Sequence, residues 1–409
     1  MGKPSLYRQV DAVPIGSVGL RPSPRHWNPG LLRFAGKLWL AYRYHRADAQ
    51  QRCGTAIVRL DDETLQPKGP NYHLRFSDST GKSHHEDARL FMFRGQPHIS
   101  YTEMTGYRPG VDYTCVMKYA RLAYEKGKWS VAEEFYPQYG LNTGNSKEKN
   151  WVFFEQDNRL YFVYSIQPQH IVVEVDGSRI IRDYMTPGPH WTFGEMRGGS
   201  SPVLVNGKWL SIFHSRLTTE EAPHFVRYYA GAYEFEAQEP FRPVTVTNYP
   251  TMSGSEEDGH QVDPRYVEGW KPYVVFPCGV VEDGDKLLCS LGINDWQCAV
   301  ARVPIASLKL SAADGSNITP RYFTTANGSR AHTYVNQENR VQLMEWKVFA
   351  PGRGGVAGAG YLKIIEPRVA MDLSETAGVT EITAEEYEQV ERRANAGMYT
   401  NPSLIIGRR

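Results

Sequence analysis

The chain has 409 residues, with 46 lysines and arginines against 45 aspartates and glutamates and a net charge of +1. This balance gives no overall field that would favour nucleic acid or a membrane surface, so we expect neither as a partner and expect any anion to be bound locally. The length suits two or three domains, and we predict one large domain with an appendage.

The N-terminal region lacks the apolar segment of a signal peptide, and no later run approaches the roughly 18 apolar residues that span a bilayer. The five cysteines form no Cys-x-x-Cys pair. We therefore expect a soluble, cytoplasmic protein whose thiols are reduced and mostly buried, with no disulfide and no metal site.

A repeated pattern runs along the chain. In each repeat a turn residue precedes a strand-like run with an aromatic residue six positions later. Glycine or asparagine at the turn supplies the positive φ of a tight hairpin, and the run that follows has the composition of a strand. The spacing leaves room for a four-stranded sheet at each step. The repeats are residues 36–43, 95–102, 158–165, 207–214 and 284–291, the last with Ser290 at the aromatic position.

Five such repeats predict an all-β fold, a five-bladed β-propeller, in which the innermost strands surround a central channel and ligands bind at its mouth. Unrelated hairpins in some other all-β protein are the alternative explanation. We place the propeller at residues 1–310 and expect residues 311–409 to form a small C-terminal α+β extension.

Five longer motifs occur in order between residues 25 and 305. They are WNPGLLRFAGKLWLAYR, HEDARLF, EKNWVFFE, RGGSSPVLVNGKWLSIFHS and VVFPCGVVEDGDKLLCSLGIND. Together they resemble glycoside hydrolase family 130, whose members are five-bladed propellers that phosphorolyse or hydrolyse mainly β-mannosides. The resemblance implies a carbohydrate-active enzyme with an oligosaccharide or glycoside substrate.

Some residues depart from the family pattern. Ala88 replaces the proline of a Glu-Asp-Pro-Arg motif, Arg197 replaces a usual lysine, and Ser200 and Ser201 stand in a Gly-Pro-Pro run. The departures at Ala88, Ser200 and Ser201 motivate a different hypothesis, a propeller without catalytic activity that binds glycans or serves as an interaction platform.

Asp87 is the candidate general acid. Cleavage of a glycosidic bond requires a carboxylic acid that protonates the leaving oxygen, and a nucleophile or base on the opposite face of the sugar. Strand alternation would place Asp87 and Arg89 on one face and Glu86 on the other. The adjacent His84 and His85 would point to opposite faces and leave no metal site. A surface ion pair at the edge of a blade is the alternative role for this segment.

The resemblance implies a phosphate-binding set formed by Lys149, Asn150, Arg197 and His214. In a phosphorylase inorganic phosphate is the nucleophile, and a dianion in a narrow pocket requires charged donors and the planar geometry of arginine. Inorganic phosphate is then a co-substrate, and no other cofactor is expected.

A pure hydrolase would instead use a carboxylate base that activates water, about 6.5–9.5 Å from the acid in an inverting enzyme. Glu155 and Glu195 are the candidates for that base. A propeller-type glycosyltransferase is a further alternative, because the same basic residues would suit the phosphate of a sugar-phosphate donor.

Sugar hydroxyls are bound by amides, carboxylates and other polar side chains. The residues expected to bind sugar are Asn28, Arg43, Arg89, Asn294 and Asp295. The candidates for aromatic platforms at the rim, with packing inside the blades as the equal alternative, are Trp27, Trp151, Trp191 and Trp296.

The resemblance fades beyond about residue 310. Residues 320–350 predict two or three strands with a hairpin turn at Asn327-Gly328, and the glycine-rich segment 352–360 predicts a flexible turn. Thr383 and Glu386 have the spacing of a capping box at the start of a helix. We expect the extension to pack on the propeller, to mediate contacts in a homo-oligomer, or to reach over the pocket.

Overall fold

The computed structural model describes most of the chain, and the structural statements below refer to this part. The described residues are 11–14, 26–45, 53–77, 83–106, 113–140, 147–191, 193–218, 226–247, 250–253, 274–295, 297–316, 318–325, 330–336, 341–351, 357–365, 379–386 and 389.

The chain forms five antiparallel sheets arranged as a five-bladed β-propeller, so the predicted fold class is confirmed. An N-terminal strand, β1 (Asp11–Pro14), precedes the first blade. Blade 1 contains β2 (His26–Phe34), β3 (Lys37–His45), β4 (Cys53–Leu60) and β5 (Tyr72–His73). Blade 2 contains β6 (His84–Phe93), β7 (Gln96–Thr105), β8 (Thr114–Glu125) and β9 (Lys128–Phe135). Blade 3 contains β10 (Val152–Gln156), β11 (Arg159–Ser165), β12 (Gln169–Asp176) and β13 (Arg179–Pro187).

Blade 4 is the most irregular sheet. Its first position is shared by two short strands that both pair with β16, and a strand from later in the chain joins its edge. It contains β14 (Glu195–Arg197), β15 (Val203–Val205), β16 (Lys208–Thr218), β17 (Val226–Glu236), β18 (Pro243–Thr247), β19 (Met252–Ser253) and β23 (Leu310–Ala312). Blade 5 contains β20 (Val275–Asp283), β21 (Lys286–Ile293) and β22 (Gln297–Pro304).

The N-terminal strand completes the last blade. β1 pairs antiparallel with β22, from Asp11 opposite Arg302 to Pro14 opposite Ala299. This pairing joins the start of the propeller to its end without a covalent link. It also supplies the fourth strand that blade 5 would otherwise lack.

The repeated segments found in the sequence each supply the second strand of a blade. The glycine or asparagine lies in the hairpin turn, as at Asn158 with φ 59° and Gly207 with φ 76°. Middle strands of a propeller blade are covered on both faces by neighbouring blades, which explains their long apolar runs. The core between blades 2 and 3 is aromatic: Phe91 stacks on Phe153 with ring centres 5.3 Å apart.

The C-terminal region contains a separate five-stranded antiparallel sheet of order β27-β26-β25-β24-β28. Its strands are β24 (Ile318–Thr325), β25 (Arg330–Asn336), β26 (Val341–Pro351), β27 (Ala357–Ile365) and β28 (Val379–Ile382). The predicted turn at Asn327-Gly328 lies outside the described residues. Residues 352–356 of the glycine-rich segment also lie outside the described residues. Residues 357–360 begin β27, so the prediction of a turn is wrong for these four.

The predicted capping box is present. Thr383 N donates to Glu386 Oε2 at 2.8 Å, and Glu386 N donates to Thr383 Oγ1 at 3.2 Å. The sheet of blade 4 extends to Ala312, two residues beyond the boundary expected at residue 310. Within the described ranges no helix is both long and apolar enough to span a bilayer. All five cysteines are buried, as predicted, and none is bridged to another.

Candidate active site

Asp87 lies in a β-bulge of β6, the innermost strand of blade 2. The pairing register of β6 with β7 shifts between Glu86 and Arg89, and Asp87 has a φ of 54°, unusual for a residue other than glycine. The bulge interrupts the alternation of side chains. Glu86 and Asp87 therefore both bind Arg43, which donates from Nη2 to Glu86 Oε1 at 2.5 Å and from Nη1 to Asp87 Oδ1 at 3.1 Å. The expectation that Glu86 would face away from Asp87 is wrong.

Asn28 completes the polar contacts of Asp87. It lies in a matching bulge of β2, with φ 48°, where the register with β3 shifts between Trp27 and Gly30. Its Nδ2 donates to Asp87 Oδ1 at 2.8 Å, and both side chains are buried. Blades 1 and 2 thus meet at this carboxylate.

The other innermost strands are interrupted as well. Asn150, with φ 66°, lies two residues before β10 in blade 3, next to Trp151. In blade 4 the chain leaves the sheet after Arg197 and re-enters it at Val203, and in blade 5 the register shifts at Pro277. These irregularities redirect the neighbouring side chains out of the regular ladder, as a bulge does.

The charges around Asp87 keep it ionised. Burial alone would raise the pKa of Asp87, but Arg43, Lys149 and Arg89, together with the hydrogen bond from Asn28, hold it below its ordinary value. The same opposition lowers the pKa of Glu86, for which Arg43 and Lys149 outweigh burial. Lys149 Nζ donates to Glu86 Oε2 at 3.1 Å. Two carboxylates and two cations thus form one buried network.

His214 lies on the blade 4 side of the site, directly across the ladder from Arg197. Its ring is buried, parallel to Tyr228 with centres 5.7 Å apart, and 4.3 Å from the ring centre of Phe276. Burial, with Arg89 and Arg197, lowers the pKa of His214 well below its ordinary value, so the ring is neutral. Its Nδ1 is buried and has no hydrogen-bond partner in the described part of the chain.

Arg197 and Glu195 form an ion pair beside His214. Arg197 Nη2 donates to Glu195 Oε2 at 2.7 Å, and the two side chains are 33% and 60% exposed. Arg197 and Asp87 both act on the pKa of His214, and both also act on that of Tyr228. Arg197 and His214 of blade 4 and the predicted acid of blade 2 are therefore close enough to interact electrostatically.

Asn294 and Asp295 follow β21 with φ values of 51°. Asn294 holds the chain in place, since Val274 N donates to its Oδ1 at 3.0 Å and its own N donates to Val274 O at 2.9 Å. Asp295 is the largest charge contribution to the raised pKa of Tyr228, after burial. Tyr228 was missed by the sequence analysis, because nothing in its strand distinguishes it from the buried Tyr229 beside it.

The comparison with known families identifies the family of this chain. The model of glycoside hydrolase family 130, described as beta-1,4-mannooligosaccharide phosphorylase, matches residues 84–309, more than half of the chain. The chain belongs to this family. It is therefore a carbohydrate-active enzyme, and the resemblance inferred from the motifs is confirmed. The match starts with β6 and includes blades 2 to 5.

Solved structures share the propeller. A putative glycoside hydrolase from Parabacteroides distasonis has a TM-score of 0.50 at 13% identity, covering 71% of this chain and 88% of its own. One from Bacteroides ovatus has a TM-score of 0.50 at 15% identity, with coverages of 70% and 88%. A β-1,2-mannobiose phosphorylase from Listeria innocua has a TM-score of 0.49 at 14% identity, with coverages of 73% and 98%. No curated protein matches the sequence.

Glu155 is far from the centre of this family 130 propeller. Its Oε2 accepts a hydrogen bond of 2.8 Å from the backbone N of Arg94, which follows the distal end of β6. A strand rises about 3.3 Å per residue, so Asp87 and Arg94 are roughly 20 Å apart. The structure therefore contradicts Glu155 as the base of a hydrolytic reaction.

Arg89 is also placed differently from the prediction. Its side chain is 0% exposed, and its guanidinium is occupied by oxygens of the protein. It cannot contact a sugar without leaving these partners. The prediction of a sugar-binding Arg89 is therefore at odds with the structure.

The predicted aromatic platforms that lie in the described residues are buried. Trp151 stacks on Phe162 with ring centres 4.4 Å apart, and Trp191 packs edge-on against Phe213 at 4.8 Å. Trp27 is 1% exposed. The blade-packing alternative therefore holds for these three side chains, whereas Trp296 lies outside the described residues.

One group of potential metal ligands adjoins the site. Donor atoms of Cys53, His84 and Glu86 lie within 4.8 Å of one another. However, Cys53 N donates to His84 Nδ1 at 3.3 Å, and Glu86 is bound by two cations. Burial raises the pKa of the Cys53 thiol, which opposes the thiolate that a metal requires. The donors thus fit a metal ion poorly.

Proposed function

We propose that the protein is an inverting phosphorylase of a β-mannoside, with Asp87 as general acid and inorganic phosphate as nucleophile. One observation carries the proposal. Asp87, a buried carboxylate, is held by Asn28 and Arg43, and the hydrogen bonds of Arg89 join its strand to Asn150 and to Gly198 beside Arg197. An acid and an anion-binding set are the two components that phosphorolysis requires. No cofactor other than phosphate is required.

The nucleophile would be held by four residues, which together form the phosphate cradle: Lys149, Asn150, Arg197 and His214. Lys149 and Arg197 supply charge, and His214 supplies a buried nitrogen that lacks a partner in the described part of the chain. With its proton on Nδ1, the neutral ring donates to a phosphate oxygen. Charge-assisted hydrogen bonds of this kind are the strong ones, and the planar arginine matches two oxygens of one phosphate.

Asp87 must be protonated to act as the acid, but the charges around it favour its ionised form in the free enzyme. Phosphate in the cradle would offset the positive charge of Lys149, which helps to hold the pKa of Asp87 low, and would add negative charge nearby. Both effects raise the pKa of Asp87. The acid therefore becomes competent when the nucleophile is bound, which suits a reaction that needs both at once.

In the reaction, a phosphate oxygen attacks the anomeric carbon from the face opposite the leaving group. The bond from that carbon to the glycosidic oxygen breaks, and the oxygen takes the proton of Asp87. The products are a sugar 1-phosphate of inverted configuration and a sugar or oligosaccharide with a new hydroxyl. Asn28, Arg43, Asn294 and Asp295 would position the sugar whose bond is cleaved.

Hydrolysis is the second candidate function. The position of the Glu195 carboxylate favours it. This carboxylate lies beside the cradle and is 60% exposed, so it is accessible to water. Its ion pair with Arg197 supports the phosphorylase instead, because a base paired with a guanidinium is weakened. A glycosyltransferase reaction would use the same cradle for the phosphate of a sugar 1-phosphate donor.

The test is to incubate the protein with β-linked mannobioses and mannooligosaccharides, with and without inorganic phosphate, and to follow sugar phosphates by phosphorus-31 NMR and free sugars by proton NMR. We expect α-mannose 1-phosphate, formed only with phosphate, and no product from Asp87→Asn. Equal release of free mannose without phosphate would contradict the proposal and favour hydrolysis. Transfer from mannose 1-phosphate in the absence of net phosphorolysis would favour the transferase.

A further inference from the structure

We propose that Arg89 is a positioning residue, which holds the side-chain amide of Asn150 so that the NH2 group of this amide faces the pocket. The orientation of the amide makes the phosphate site favour an anion. This inference rests on the proposed function, because it concerns the same phosphate site. It assigns Arg89 a role through Asn150 in place of direct contact with sugar.

Arg89 joins the innermost strands of several blades. Its Nε donates to Gly199 O at 2.5 Å and its Nη2 to Gly198 O at 3.2 Å, both in blade 4. Its Nη1 donates to the carbonyl of Asp87 at 2.9 Å, within the bulge that presents the acid. Nη2 also donates to Asn150 Oδ1 at 3.0 Å, at the start of blade 3.

The positive charge of Arg89 has no paired anion. Its four acceptors are three backbone carbonyls and one amide, and no carboxylate of the described residues lies within the 4.0 Å of an ion pair. Buried charges in proteins are normally paired, so an unpaired guanidinium at the centre of a propeller marks a place where an anion is favoured. Its field also contributes to the lowered pKa of Asp87 and of His214.

The chemistry of the guanidinium decides the orientation of Asn150. Arginine has only donors, so the atom of Asn150 that faces it must be the carbonyl oxygen, and the NH2 group must point away. Rotating the amide would set N–H against N–H and leave buried donors unpaired. Asn150 Nδ2 makes no hydrogen bond within the described part of the chain. It is therefore free to donate to a ligand.

The backbone around Asn150 is fixed as well. Asn150 has a φ of 66°, and a Cβ on Gly198 would lie 2.1 Å from the backbone carbonyl oxygen of Asn150. Only glycine allows this approach of the two chains. With backbone and amide both held, Asn150 presents a fixed donor beside Lys149. Such preorganised donors suit phosphate oxygens, which only accept.

The test is a double-mutant cycle read by calorimetric titration of inorganic phosphate. The proteins are wild type, Arg89→Lys, Asn150→Ala and the double variant. If Arg89 acts through Asn150, we expect Arg89→Lys to weaken phosphate binding about tenfold in the wild-type background and less than twofold in the Asn150→Ala background. An additive cycle in folded variants would overturn the inference, because a direct effect of charge or a general loss of structure persists in both backgrounds.

Asn150→Asp keeps the test decisive if Arg89→Lys fails to fold. An aspartate at position 150 still accepts a hydrogen bond from Arg89, so the contacts of Arg89 are preserved. The aspartate side chain cannot donate to a ligand. We expect an unfolding temperature at least as high as that of wild type, phosphate binding weakened more than tenfold, and little change in the KM for the glycoside. Unchanged phosphate binding by Asn150→Asp would overturn the inference and leave the proposed function standing. Wild type that binds no phosphate would overturn both.

Discussion

Asn28 donates a hydrogen bond of 2.8 Å from Nδ2 to Oδ1 of Asp87, although 59 positions separate the two residues. Each residue occupies a bulge with positive φ in the innermost strand of its blade. An amide N–H facing a carboxylate favours the ionised acid. The contact therefore links the shape of two strands to the protonation state of the proposed catalytic residue.

Asn28→Ala should lower kcat/KM for phosphorolysis by about one to two orders of magnitude. Asp87 becomes a carboxylate as it gives up its proton in the transition state, and the Asn28 amide stabilises that carboxylate. A hydrogen bond to a charged group contributes roughly 1.5–3 kcal/mol, and each 1.4 kcal/mol is a tenfold change. Steady-state kinetics with varied glycoside measures the effect. Asn158→Ala is the matched control, since Asn158 also has positive φ but lies in the β10–β11 turn. Equal kinetics for the two variants would show that Asn28 does not act on Asp87.

Binding of a dianion should be coupled to proton uptake. The pKa values of Asp87 and His214 are both lowered in the free protein, and a nearby dianion raises them. The protonated forms therefore bind the anion more tightly, and affinity should rise as pH falls through the pKa values of the complex. Sulfate, which carries no proton near neutral pH, is the probe, and titration calorimetry at several pH values is the measurement.

Two variants separate the sources of the proton. Asp87→Asn should remove the part due to the acid, and His214→Gln the part due to the ring. Sulfate affinity that stays constant between pH 8 and pH 5.5 in the wild-type protein, with binding intact, would argue against an anion site beside these groups.

Arg197→Ala should raise the KM for phosphate by about one to two orders of magnitude while changing the KM for the glycoside far less. The reason is the loss of one charged contact worth roughly 1.5–3 kcal/mol, toward the lower end because the side chain is 33% exposed. Arg182→Ala, in the outer strand of blade 3, is the control. If sugar binding weakened and phosphate dependence did not change, Arg197 would belong to the sugar site.

Glu155→Gln should leave kcat within about twofold of wild type. Glu155 caps the backbone N of Arg94 at the far end of β6, so the change should appear only as a small decrease in unfolding temperature. Glu195→Gln is the informative comparison. A loss of activity of a hundredfold or more in Glu195→Gln, in reactions without phosphate, would identify Glu195 as the base of a hydrolase.

The sequence by itself determined the features that depend on local order. The turn residues and the runs that follow them located the second strand of every blade, because hairpin geometry and side-chain alternation are set by neighbours in the chain. The capping box of Thr383 and Glu386 is local for the same reason. The order of the motifs was enough to identify the family.

Only the tertiary structure decided how the site is assembled. The bulge at Asp87 places Glu86 on the same arginine, and Arg89 is closed in by carbonyls from another blade. Glu155 lies at the wrong end of its strand, although in sequence it is close to Asn150. Bulges, strand direction and contacts between blades depend on pairings between distant residues, and no periodic pattern encodes them. The sequence therefore supplied the candidate residues, but only the structure decided which of them meet.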